Sequence, residues 1–360
     1  MKYYIISGEA SGDMHGGHLM NALKEYDQDA QFRCWGGDRM EKAGGEIVKH
    51  YKDLAFMGFV EVLFNIRTIL RNMAFCKEDL LKYQPDVLIL IDYPGFNLRI
   101  AEFAHQHGIQ VAYYISPQIW AWKKNRVFKI KKVVDQMYTI LPFEKAFYQK
   151  YDYKVEYVGH PLLDELKTLE PNKKTGYVAM LPGSRKQEIN KMLPVMNEVA
   201  KRHPDKTFVL VKAKVFDEAF YKEFGLANNV QIDDRGIYQV MSECEAAMVT
   251  SGTATLETAL CMVPQVVCYE ANPISYQIAK RIVDIKYISL VNLIMDELIV
   301  TELIQGDFTV ENLNNELLKI LPGEKGHDSQ IQSYQELRTK LGDAGASNRL
   351  AKHLINKFKN

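Results

Sequence analysis

The stretch Val87-Leu88-Ile89-Leu90-Ile91-Asp92-Tyr93-Pro94-Gly95-Phe96-Asn97 decides the fold class. Five consecutive apolar residues without polar alternation describe a strand covered on both faces, as in a parallel sheet. The run ends on a carboxylate, and Pro94 and Gly95 then turn the chain. The same rhythm of apolar run, turn and helical pattern extends in both directions. Strands are expected at Tyr3–Ser7, Phe32–Gly36, Val87–Asp92, Val111–Ser116, Met137–Leu141 and Val155–Gly159. A second series is expected at Tyr177–Leu181, Phe208–Val211, Val230–Ile232, Ala246–Thr250, Gln265–Tyr269 and Tyr287–Leu290. Such alternation predicts an α/β protein with two doubly wound parallel sheets.

The two series are separated by Pro161–Lys174, which contains Pro161, Pro171 and Asn172. Domains are therefore expected at 1–165 and 166–345, with a terminal helix at 346–360. A polar, Gly-punctuated tail from Gly323 to Asn348 leads into that helix, where Leu350, Leu354 and Phe358 recur every four residues. It can pack on the first domain or on a second subunit, which leaves a homodimer open. A length of 360 residues agrees with two domains.

The 45 Lys+Arg balance 45 Asp+Glu, so global charge offers no argument for nucleic acid. The five cysteines are odd in number and form no CxxC pair, which reads as reduced thiols of a cytosolic chain. The apolar run Tyr3–Ile6 is too short for a signal peptide, and no apolar stretch is long enough to span a bilayer. The histidine pairs His15/His18 and His105/His107 lack metal-ligand spacing, and no metal or cofactor is expected.

Open parallel sheets bind ligands at the carboxyl ends of their strands, so the motifs there carry the chemistry. Gly8-Glu9-Ala10-Ser11-Gly12-Asp13 follows the first strand and is neither GxGxxG nor a P-loop. Ser11 or Asp13 can cap the next helix. Asp92, between a buried sheet and a cleft, would have its pKa raised by desolvation, which suits a general base; the alternative is a helix N-cap. Ser116-Pro117-Gln118-Ile119-Trp120-Ala121-Trp122-Lys123 offers two tryptophans to a sugar or acyl group. The basic run Lys124, Arg126, Lys129, Lys131 and Lys132 suits an anionic substrate or lipid headgroups.

Leu181-Pro182-Gly183-Ser184-Arg185 leads into a helix whose free amides suit a phosphate, with the Arg185 fork on a diphosphate. Glu188 can pair with Arg185 or cap the helix. Thr250-Ser251-Gly252-Thr253-Ala254-Thr255-Leu256-Glu257 repeats the design, with Glu257 able to accept ribose hydroxyls. The apolar run Phe56 to Arg67, with Phe59, Val62, Leu63 and Ile66, reads as a helix able to lie on lipid or to pack in a core.

These motifs resemble the lipid-A-disaccharide synthase family. The resemblance also takes in Gly36-Gly37-Asp38-Arg39-Met40, Leu141-Pro142-Phe143-Glu144 and Gly159-His160-Pro161-Leu162, in order across nearly the whole chain. It implies a GT-B fold, two Rossmann-like domains facing a cleft. It implies an inverting, metal-independent transfer of 2,3-diacylglucosamine from its UDP donor to 2,3-diacylglucosamine 1-phosphate (lipid X), giving lipid A disaccharide 1-phosphate and UDP. Asp92 falls on the family's essential aspartate. Gly183, Ser184, Arg185, Glu188, Ser251, Gly252, Thr253, Glu257, Asn292 and Gln305 fall on the UDP-sugar side. Glu9, Ser11, Asp13, Asn97, Trp120, Trp122 and His160 fall on the acceptor side. Val291 stands where the family has a proline, and Gly95 where an acidic residue can stand. The implied location is cytoplasmic, peripherally associated with the inner membrane, with the cytoplasmic leaflet surface as a partner. The competing readings are a UDP-N-acetylglucosamine 2-epimerase-like enzyme and a non-catalytic sugar-nucleotide sensor.

Overall fold

A computed structural model describes residues 1–54, 66–166, 175–283 and 285–359. The chain forms two compact units, Met1–Asp164 with Asp343–Asn360, and Glu165–Gly342. The strands of the first unit are β1 (Lys2–Ser7), β2 (Gln31–Gly36), β3 (Glu46–His50), β4 (Val87–Ile91), β5 (Gln110–Tyr114), β6 (Gln136–Thr139) and β7 (Glu156–Tyr157). They pair in the order β3-β2-β1-β4-β5-β6-β7, all parallel.

Because side chains alternate along a strand, each strand feeds two cores. Tyr4, Ile6, Leu88 and Leu90 face one core with Trp35, Phe96 and Tyr113, beneath helices Ile66–Tyr83 and Pro94–Gln106. Tyr3, Ile5, Ile89 and Ile91 face the other with Leu19 and Leu23 of helix Ala10–Tyr26. Two-sided burial is why the strand sequences are uniformly apolar. Truncating one such residue, Ile89 for example, would cost about 2–5 kcal/mol. The terminal helix Ala346–Phe358 adds Leu350, Ala351 and Leu354 to the second core. Arg349 Nε donates to the Val158 carbonyl at 2.7 Å, and Lys359 Nζ meets Asp27 at 3.0 Å.

The second unit contains β8 (Tyr177–Leu181), β9 (Phe208–Val211), β10 (Val230–Asp233), β11 (Cys244–Thr250), β12 (Gln265–Tyr269) and β13 (Glu302–Ile304), in the order β10-β9-β8-β11-β12-β13. Four features differ from the sequence expectation. Tyr287–Leu290 is not a strand, because Ser289 Oγ accepts from the Asn292 amide at 3.2 Å and starts helix Leu290–Met295. The last strand of this sheet is instead the three-residue β13, and the unexpected β3 edges the first sheet. The region read as a polar tail holds helix Lys325–Leu341, which buries only the stripe Gln330, Tyr334, Leu337 and Leu341.

In each sheet the strand order reverses once, between β1 and β4 and between β8 and β11. The loops leaving those four strands stand at topological switch points, where open α/β sheets bind ligands.

Candidate active site

Asp92 is the first residue beyond β4, and both it and Tyr93 are left-handed, at φ +46° and +50°. Side chains with a Cβ adopt that region at a cost of about 1–3 kcal/mol, so surrounding bonds must hold it. The Asp92 amide donates to the Tyr114 carbonyl at 3.0 Å. Its carbonyl accepts from Tyr113 OH at 2.5 Å and from Asn97 Nδ2 at 2.7 Å. The loop after β1 interlocks with this turn, since a Cβ on Gly8 would stand 2.5 Å from the Tyr93 ring.

The backbone of Asp92 is thus clamped while its carboxylate stays reachable by solvent. Crowding by protein atoms raises its pKa to about 6, the nearby Glu9 charge adds to the rise, and the Tyr93 amide opposes it. A carboxylate so tuned is ionised near neutrality and retains real affinity for a proton, as a general base requires.

The other residues expected on the acceptor side divide. Glu9 and Ser11 are exposed at the start of helix Ala10–Tyr26. Asp13 is buried, and its carboxylate accepts from the amides of Gly37 (2.7 Å), Arg39 (3.0 Å) and Met40 (3.1 Å). It therefore fixes the Gly36–Met40 turn, and Asn97 is buried as well, with its Nδ2 on the Ile91 and Asp92 carbonyls. Trp120 is buried edge-on against Phe143, whereas Trp122 is exposed with Lys123 Nζ 3.9 Å above its ring. His160 is buried, and its Nδ1 accepts from the Leu162 amide at 3.3 Å. Burial, helped by His15, pushes its pKa down to about 3, so it is a neutral donor or acceptor and not a charge.

In the second unit, the turn after β8 passes through Gly183 at φ +108°, where a Cβ would stand 2.6 Å from Glu188 Oε2. Glu188 does both things expected of it. Its Oε2 accepts from the amides of Ser184 (3.1 Å) and Arg185 (3.2 Å), and its Oε1 lies 3.5 Å from Arg185 Nη1. Those two amides, expected to bind phosphate, are therefore engaged by a carboxylate. The cationic feature of the turn is the Arg185 guanidinium, with 65% of its side chain exposed.

After β11, Ser251 Oγ donates to the Ile288 carbonyl at 3.1 Å, while Gly252 and Thr253 are exposed at the start of helix Thr253–Leu260. Glu257 lies one turn in, half-buried, with Oε1 accepting from Tyr238 OH at 2.9 Å.

Asn292 is engaged within the fold. It is wholly buried, with Nδ2 donating to Val300 O and Glu302 Oε1 and Oδ1 accepting from the amides of Ile299 and Val300. Gln305 accepts the Ala271 amide on Oε1 at 2.6 Å, and Lys191 Nζ bonds Glu270 and the Ala271 carbonyl, so the loop after β12 is held from two sides. Lys191, Tyr113 and Tyr238 have no motif that marks them in the sequence; their roles depend on contacts between distant segments. Phe59, Val62 and Leu63 lie outside the described residues. Ile66, which opens helix Ile66–Tyr83, is half exposed, as are Leu70 and Phe75. Among the described residues no cluster of His, Cys, Asp and Glu could hold a metal ion, and no helix is long and apolar enough to cross a membrane.

A family profile described as lipid-A-disaccharide synthetase matches residues 3–357. A lipid-A-disaccharide synthase of Geobacter sulfurreducens is 37% identical over 366 residues, covering 96% of this chain and 94% of its own length. Two solved structures share the fold at low identity. The glycotransferase of kitacinnamycin superposes with a TM-score of 0.68 at 14% identity, covering 99% of this chain and 98% of that one. The Methanocaldococcus jannaschii UDP-GlcNAc 2-epimerase, in complex with UDP-GlcNAc and UDP, gives 0.67 at 15% identity, covering 99% of this chain and all (100%) of its own. The two doubly wound sheets are those of a GT-B protein, and the identity along the full length decides between the activities that this fold hosts: the chain belongs to the lipid-A-disaccharide synthetase family.

Proposed function

We propose that Asp92 deprotonates the 6-hydroxyl of 2,3-diacylglucosamine 1-phosphate as that oxygen attacks the anomeric carbon of UDP-2,3-diacylglucosamine. The new C–O bond forms on the face opposite UDP, the bond to the diphosphate breaks with its electron pair leaving on UDP, and the proton ends on Asp92. The product is the β-1,6-linked disaccharide 1-phosphate. Arg185 counters the charge that develops on the leaving diphosphate, assisted by the Ser251–Thr253 turn. Glu257 accepts the ribose hydroxyls. The observation that carries this reading is the Asp92 turn: a backbone-clamped carboxylate at a switch point, with a pKa of about 6. A sugar-nucleotide sensor has no use for a carboxylate tuned in this way. The epimerase alternative draws on fold likeness alone, and the family match does not favour it.

Both substrates carry acyl chains, so the enzyme would work at the cytoplasmic leaflet of the inner membrane. Supporting this are the exposed Ile66, Leu70 and Phe75 on one helix, and exposed Trp122 just before the basic run and Phe128 within it. Flotation with anionic liposomes should weaken in Trp122→Ser/Phe128→Ser protein; undiminished flotation would remove that surface from the role. The activity itself is tested by incubating the protein with both substrates in detergent and chelator. Mass spectrometry should show the disaccharide 1-phosphate with stoichiometric UDP. An epimerised sugar nucleotide, or no product, would contradict the reading.

A further inference from the structure

Two short helices of the second unit meet through one polar contact. Helix Ile237–Met241 follows β10 and carries Tyr238; helix Thr253–Leu260 follows β11 and carries Glu257. Tyr238 OH donates to Glu257 Oε1 at 2.9 Å, and Oε2 has no hydrogen bond among the described residues. We propose that Tyr238 is a positioning residue for the nucleotide: by holding Oε1 it fixes the Glu257 carboxylate and leaves Oε2 to accept the vicinal hydroxyls of the donor's ribose.

The surroundings explain why a hydroxyl is needed. Burial favours the neutral form of Glu257, and the nearby Glu165 carboxylate pushes in the same direction. The Tyr238 hydroxyl opposes both by stabilising the charged form. The phenol is itself pushed upward, first by burial, then by Glu257, with Glu165 and Cys261 also facing it. It therefore stays protonated, and a donor, near neutral pH. A carboxylate held at one oxygen presents the other in a fixed direction, which lowers the ordering cost when a ligand binds. A phenylalanine would serve packing equally well, so the hydroxyl is what the inference tests.

The inference rests on Glu257 as the ribose-binding carboxylate, and one calorimetric experiment separates the two claims. Affinities for UDP and 2′,3′-dideoxy-UDP are measured from pH 6 to 9 in wild type, Glu257→Gln and Tyr238→Phe. Wild type should prefer UDP by about ten- to a hundredfold, the range for one charge-assisted hydrogen-bonded site. Tyr238→Phe keeps the ring, and its melting temperature should stay near wild type. Its preference for the ribose should shrink to a few-fold, and its UDP affinity should fall off at a higher pH than in wild type. A wild type without ribose preference would overturn the Glu257 reading and the inference with it. A wild type with the preference, beside a Tyr238→Phe protein that keeps both it and the wild-type pH dependence, would overturn the Tyr238 role alone. Equal weakening toward both nucleotides would mark Tyr238 as packing only, and would overturn it too.

Discussion

At the β1/β4 switch point of the amino-terminal unit, Asp92 is held by three hydrogen bonds to its backbone and crowded until its pKa nears 6. At the β8/β11 switch point of the other unit, Arg185 extends into solvent and small hydroxyl residues line the start of a helix. The strand order around both points is the same, 3-2-1-4-5-6 in each unit's own numbering, with β7 added to the first sheet. The fold therefore supplies two equivalent positions, and in the proposed reaction the side chains placed there divide the labour. One position would ready a nucleophile, which needs rigidity and desolvation. The other would grip a polyanion, which needs exposed charge and open hydroxyls.

Substitutions can break this contrast from either side. The largest effect is expected on the rigid side, where Asp92→Asn should slow turnover by about 100- to 10,000-fold in a steady-state assay. On the open side, Arg185→Ala should weaken UDP about ten- to a hundredfold by calorimetry, the range for a lost charged hydrogen bond. The pH profile sharpens the comparison further. Asp92 must be ionised to act, so kcat/KM should fall about tenfold per unit once pH drops below about 6. UDP affinity should not follow that curve.

Gly183→Ala acts on the open side through the backbone. At φ +108° and against Glu188, the added methyl should destabilise the second unit by about 1–3 kcal/mol, read as a lower melting temperature. The smallest effect concerns Asp92 and stability. Its folded pKa lies above the ordinary carboxylate value of 3.8, so its contribution to stability declines as pH rises from about 4 to about 6. Asp92→Asn should then melt at or slightly above the wild-type temperature at pH 7.5, with the gap closing below pH 4.

Much of this was legible in the sequence because two-sided burial writes itself as uninterrupted apolar runs such as Val87–Ile91. Edge strand β3 escaped because its residues are only partly buried and include Lys49 and His50. The run Tyr287–Leu290 misled because Ser289 acts as a helix cap, a role that outweighs its apolar neighbours. Helix Lys325–Leu341 hid because a narrow buried stripe leaves a mostly polar sequence.

For the candidate site, Asp92 and Arg185 draw attention by residue type and by position after a strand. Asp13 and Asn292 have equally suggestive types, but their side chains are engaged by groups that only the folded chain brings near: backbone amides for Asp13, and backbone groups with Glu302 for Asn292. Tyr113 and Tyr238 had no local signal, since each acts on a carbonyl or carboxylate about 20 residues away.

The most direct test of the divided labour is the UDP dissociation constant of the Asp92→Asn protein, measured by calorimetry on the same preparation whose turnover has collapsed. A value within about twofold of wild type is expected, since a lost base should leave nucleotide binding whole. Turnover close to wild type, or a loss of UDP affinity that matches the loss of turnover, would contradict it.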